Sequence, residues 1–207
     1  MNTKLIIHIV ISLISLSGLI VYYYAFLLGY KKHNSQLNKQ SKLPEKLYFM
    51  STYPALIWYV LPFIEQPRMH GIYDWLNGEF VFFNVLYIPV SFLLFVYFFG
   101  IWGKKSVSQN IEATKSAFYA PSKLLTEGIY ARVQHPMIIG DILGHFSLVL
   151  LTGGIYTCIL FPIYVFIDLF MIKIQVKYSL EPYYKSELIV YRKKTPVLLD
   201  QKLLFIV

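Results

Sequence analysis

The stretch Met137-IIGDILGHFSLVLLTGGIYTCILFPIYVFIDLFM-Ile172 stays apolar for longer than one membrane crossing requires. A bilayer-spanning helix needs about 20 residues. The run is interrupted at Thr152, Gly153 and Gly154, where adjacent glycines end one helix and let the chain reverse. Two antiparallel helices joined by a tight turn account for it. The first, about 16 residues long, crosses only if the bilayer thins or the helix starts in the interface, and a hairpin embedded from one side is the alternative.

Three more apolar segments lie upstream. Phe80–Trp102 is strongly aromatic and carries no charge. Leu5–Leu28 holds an isolated His8 and a tyrosine cluster, Tyr22, Tyr23 and Tyr24, of the kind that settles at a headgroup boundary. It is too long for a signal-peptide core and no small-residue cleavage site follows, so it reads as a retained helix. Leu47–Ile64 contains Pro54 and Pro62, which imply a kinked helix packed against neighbours. Of the 207 residues 57% are hydrophobic and 14% charged, against roughly 25% charged in soluble domains. The expected fold is therefore all-α and integral to the membrane. It is a single domain over 1–207, with three helices in 1–102 and the hairpin and tail in 103–207. The tail, Lys173–Val207, mixes basic and apolar residues as an interfacial amphipathic helix does.

Lysine and arginine set the expected orientation. Lys4 precedes the first span; the next connection holds Lys31, Lys32, Lys39, Lys42 and Lys46; Glu65–Glu79 holds only Arg68. Gly103–Pro136 holds Lys104, Lys105, Lys115, Lys123 and Arg132, the hairpin turn none, and the tail seven. Low and high values alternate, which predicts five crossings with the N-terminus outside and the C-terminus in the cytoplasm. Placed beside apolar runs, the net charge of +8 favours lipid headgroups over nucleic acid. The one cysteine, Cys158, sits inside an apolar run, so neither a disulfide framework nor a cysteine-based metal site is expected.

Asp141, His145 and Asp168 fall within the hairpin. Asp141 and His145, spaced i and i+4, share one helix face. Ionisable groups at membrane depth are costly and read as functional by default; a catalytic cluster, with Asp141 or Asp168 as general base, and a mutually satisfied structural cluster both remain open. The set lacks the spacings of a zinc site, and no metal is expected. His8, His33 and His70 read as boundary or loop residues.

Ahead of the hairpin runs Leu124-LTEGIYARVQHP-Met137. Here Gly128, Tyr130, Val133, His135, Pro136 and the following Gly140, with the later Tyr191-Arg192-Lys193-Lys194-Thr195-Pro196, resemble the membrane methyltransferase family that includes isoprenylcysteine carboxyl methyltransferases and phospholipid N-methyltransferases. The likeness covers roughly Leu124 to Leu199. Gln134 stands where that family has arginine and Ile138 where it has tyrosine. The family's glutamate pair falls near Val176 and Lys177, leaving Glu181 and Glu187 as the nearest acids. The resemblance implies S-adenosylmethionine as cofactor, bound among Tyr130, Gln134, His135, Pro136, Gly140, Glu181, Glu187, Tyr191 and Arg192. It also implies a lipid or lipidated acceptor: a prenylcysteine carboxylate, a lipid amine or a small thiol. His135 before Pro136 also fits a plain helix start. A small transporter, a membrane reductase and a non-catalytic relative are the alternatives.

Overall fold

In the computed structural model the described residues are 3–34, 40–69, 72, 77, 82–113 and 123–197; His70, Lys39, Lys115 and Lys202 lie outside them. Helix α1 is Thr3–His33. Helix α2, Leu43–Leu56, starts before the expected Leu47 because Pro44 suits a first turn. Beyond Pro54 it loosens into two 3-10 turns, Ile57–Tyr59 and Leu61–Phe63. Helix α3, Phe82–Phe95, continues through a π turn, Val96–Trp102, into α4, Gly103–Ala113. Helix α5 is Pro136–Thr152 and α6 is Ile155–Gln175, which passes through a π turn, Val176–Leu180, into α7, Glu181–Lys194.

Among the described residues three helical stretches are long and apolar enough to cross a membrane: Thr3–His33, Leu86–Ile111 and Ile155–Lys194. The apolar helix Pro136–Thr152 is shorter. The hairpin turn forms where its glycines place it. Gly153 adopts φ +62 and Gly154 opens α6, a left-handed cap that glycine takes without a Cβ penalty. The third apolar helix, by contrast, does not stop at Trp102. Gly103 stays helical, because one glycine costs only about 1 kcal/mol against the helix formers that follow it.

Burial is inverted relative to a soluble protein. Outward faces carry Phe49, Met50, Leu86, Ile159 and Phe166, each about two-thirds exposed or more, whereas His8, Ser15, His145 and Asp168 are wholly or almost wholly buried. Contiguous apolar surface of this extent calls for an apolar surrounding. Inside, Leu19, Trp58, Leu61 and Tyr164 form one core cluster and Ile88, Leu148 and Leu151 another. Gly140 and Gly144, four apart on α5, let the backbone close on Trp102 and Phe99, since a Cβ at either would come within 2.8 or 3.2 Å of those side chains.

Side-chain contacts define two ends of the bundle. At one, Lys4 pairs with Glu65, and the segment Gln66–Met69 closes the hairpin turn. There Met69 N donates to Gly153 O, Ile155 N to Pro67 O, and the Arg68 guanidinium to Thr152 O and Pro62 O. At the other, Lys32 pairs with Glu45 at 2.7 Å and Asn34 donates to Tyr178 O. The sparsely basic connections thus share one end, and Lys31, Lys32, Lys42, Lys46 and the basic residues of α4 and α7 the other.

Candidate functional site

At the basic end the segment Gly128–Pro136 is short, and its backbone needs partners from elsewhere. It begins at Gly128, φ +61, against which the Gln109 side chain packs; Gln109 Oε1 accepts from Ile129 N at 3.3 Å. A 3-10 turn, Gly128–Ala131, follows. The remaining partners come from the C-terminal end of α7 and the two residues that follow it. Tyr191 Oη donates to Tyr130 O at 2.5 Å, Gln134 Nε2 to Thr195 O at 2.5 Å, and Gln134 N to Pro196 O at 3.0 Å. Two sequence stretches about 60 residues apart are therefore stitched into one unit.

His135 sits at the margin of α5, buried, with Nδ1 3.2 Å from Gln175 Oε1 at the end of α6. Burial holds its imidazole down to about 4, the Gln175 contact opposing and the Arg192 charge adding to the shift. Arg192 lies near enough to act on it, and Arg192 Nη1 is 3.6 Å from Glu181 Oε1, both side chains more than a third exposed. A neutral ring, a cation and an anion stand together at this point. Burial also pushes the Tyr130 hydroxyl up to about 12.

Deeper in the bundle, Tyr164 donates to Asp141 and Tyr23 to Asp168. With a rise of 1.5 Å per residue, Asp141 and Asp168 each lie about 10 Å inward of the His135–Gln175 contact. His145 is stacked on Trp58, centroids 5.4 Å apart, and on Phe161 at 5.7 Å. Among the described residues neither of its ring nitrogens has a hydrogen-bond partner, nor has Asp168 Oδ2 or Trp58 Nε1.

No family model, curated protein or solved structure matches this chain.

The residues singled out in the sequence separate into three groups. Tyr130, Gln134 and Tyr191 join segment to tail. His135, Glu181 and Arg192 meet beside that junction, with Pro136 beginning α5 and its carbonyl accepting from Trp102 Nε1 at 2.7 Å. Asp141, His145 and Asp168 lie in the interior, while Glu187 is exposed on α7 and Gly140 makes the helix contact described above. The structure also reveals a cleft of about 460 Å³ on the other side of the segment, where Lys105, Ser108 and Gln109 of α4 face Gly128, Ile129 and Arg132. The sequence reading passed over it, having placed Lys105 and Gln109 in a loop.

Proposed function

We propose that this chain is an integral membrane enzyme that transfers the methyl group of S-adenosylmethionine to a lipophilic or membrane-delivered acceptor at the basic end of its bundle. In this reading the chain crosses five times, with the N-terminus outside, the C-terminus cytoplasmic and α7 lying in the interface. The observation that carries the proposal is the union of Tyr130–Pro136 with Tyr191–Pro196 through side-chain and backbone hydrogen bonds. These are the two stretches that resemble the membrane methyltransferases.

The residues present fit the cofactor's amino-acid end. A zwitterion needs both signs within reach, and Arg192, Glu181 and the neutral His135 supply a cation, an anion and a ring donor or acceptor. When bound, the cofactor supplies a sulfonium methyl open to in-line displacement, and what the protein adds is alignment and exclusion of water. Asp141 and Asp168, about 10 Å inward by helical rise, are the groups available to take a proton from the acceptor. Lipid amines and small thiols have such a proton to give up, whereas a prenylcysteine carboxylate is already anionic and needs only to be aligned and desolvated.

The test is thermal unfolding of the detergent-solubilised protein with S-adenosylmethionine, S-adenosylhomocysteine and NADPH, since a ligand that binds only the folded state raises stability. Stabilisation by the first two but not the third is expected; NADPH alone would point to a reductase. No shift with any overturns the reading. Arg192→Ala is expected to weaken S-adenosylmethionine about tenfold, the scale of one hydrogen bond to a charged group. A second reading, proton or ion movement through the bundle, draws on the unpartnered Asp168 Oδ2 and His145 nitrogens. It predicts proton uptake by liposomes that Asp168→Asn abolishes.

A further inference from the structure

We propose that the cleft between α4 and the Gly128–Arg132 turn is a binding site for an anionic phospholipid, its phosphate held between Lys105 and Arg132 and an acyl chain lying along Tyr97 and Ile101. Tyr97, Ile101, Lys105 and Gln109 recur every four residues, so they line one face of the continuous α3–α4 helix. That face is graded. Tyr97 and Ile101 are 43% and 49% exposed and belong to the apolar outer surface; Trp102 stands at the boundary; Lys105, Ser108 and Gln109 are polar. Tyr97 to Lys105 spans about 12 Å of helix, the reach from upper acyl chain to headgroup. The π turn Val96–Trp102 supplies the inner wall, and such turns are frequent at functional sites.

Charge separates this cleft from the cofactor face. Lys105 and Arg132 line it with no carboxylate among the lining residues, and neither makes an ion pair among the described residues. The zwitterionic end of S-adenosylmethionine would find one sign only, whereas a phosphodiester needs one sign only. Basic pockets between helices at the headgroup level bind acidic lipids for this reason. The site does not depend on the methyl-transfer reading, and its test measures lipid binding alone.

The full chain is placed in phosphatidylcholine nanodiscs carrying increasing brominated phosphatidylglycerol, and quenching of tryptophan fluorescence is followed. Saturable quenching at low mole fraction is expected, absent with brominated phosphatidylcholine and lost in Trp102→Phe. Lys105→Gln and Arg132→Gln should each weaken it about fivefold; both residues are exposed, and an unchanged unfolding temperature in phosphatidylcholine discs will show that the fold survives. Lys104→Gln, next door but outside the cleft, should leave it unchanged. Equal quenching by both lipids, or equal loss in Lys104→Gln and Lys105→Gln, overturns the site. Displacement by inorganic phosphate with no preference for phosphatidylglycerol overturns the lipid assignment in favour of a free anion.

Discussion

Gly18 and Gly100 both lie in apolar helical stretches, yet replacing each by alanine should change stability in opposite directions. At Gly18 of α1 an added Cβ would lie 2.4 Å from Pro54 Cβ, 2.7 Å from Ala55 N and 2.7 Å from Pro54 C. Optimal carbon contacts are about 3.5–4.0 Å, so α1 and α2 must move apart by about 1 Å, and two of the three obstacles are backbone that cannot swing aside. Overpacking of this kind costs about 1–3 kcal/mol, while alanine returns up to about 1 kcal/mol of helix propensity. The clash wins. At Gly100 nothing lies within 4 Å of the added carbon, so the propensity gain of about 0.5–1 kcal/mol stands alone. Unfolding in mixed micelles of increasing denaturing detergent, followed by far-ultraviolet circular dichroism, measures both. Gly18→Ala should unfold earlier than wild type and Gly100→Ala later. A Gly18→Ala protein as stable as wild type would refute the close crossing of α1 and α2.

Gln134→Ala removes the donor to Thr195 O and should loosen the tail by about 1–3 kcal/mol; faster tryptic cleavage at Arg192–Lys194, with the helical signal unchanged, is the expected result. His135 is held to about 4 in the folded protein against 6.5 when free, so the unfolded state binds the extra proton. Stability should therefore fall as pH drops from 6.5 towards 4, by at most about 3 kcal/mol. His135→Gln should flatten that slope in the thermal midpoint. Gln66→Leu removes the acceptor of Thr157 N and one of the donors to Leu61 O, each now bonded to Gln66 at 3.0 Å. A loss of about 1–3 kcal/mol is expected, read by earlier detergent unfolding.

The hairpin was legible because two adjacent glycines in a long apolar run leave few other conformations, and Gly153 takes the positive φ they permit. The segment-to-tail junction could be anticipated only through the family resemblance, since nothing in either stretch alone names its partner. What escaped was the overrun of α3 into α4. A glycine at the change from apolar to polar residues reads as a stop, but Gly103 is compatible with helix, and local propensity past it decided the outcome. The cleft was hidden for the same reason: Lys105 and Gln109 acquire a common face only once Gly103–Ala113 is helical. The pairing of Tyr23 with Asp168 escaped as well, because 145 residues separate them and no local pattern records such a contact.

The clasp of Pro67 and Met69 on the hairpin turn bears on how the chain is made. Arg68 and Thr152 are 84 residues apart, so at synthesis rates of about 5–20 residues per second the upstream strand of the clasp waits roughly 4 to 17 seconds for its partner. During that interval Met69 N and Pro67 O lack the partners they have in the folded chain. The clasp therefore closes only after α3, α4 and α5 have been made, so the contact that ties α2 to the hairpin belongs to the last stage of folding rather than the first.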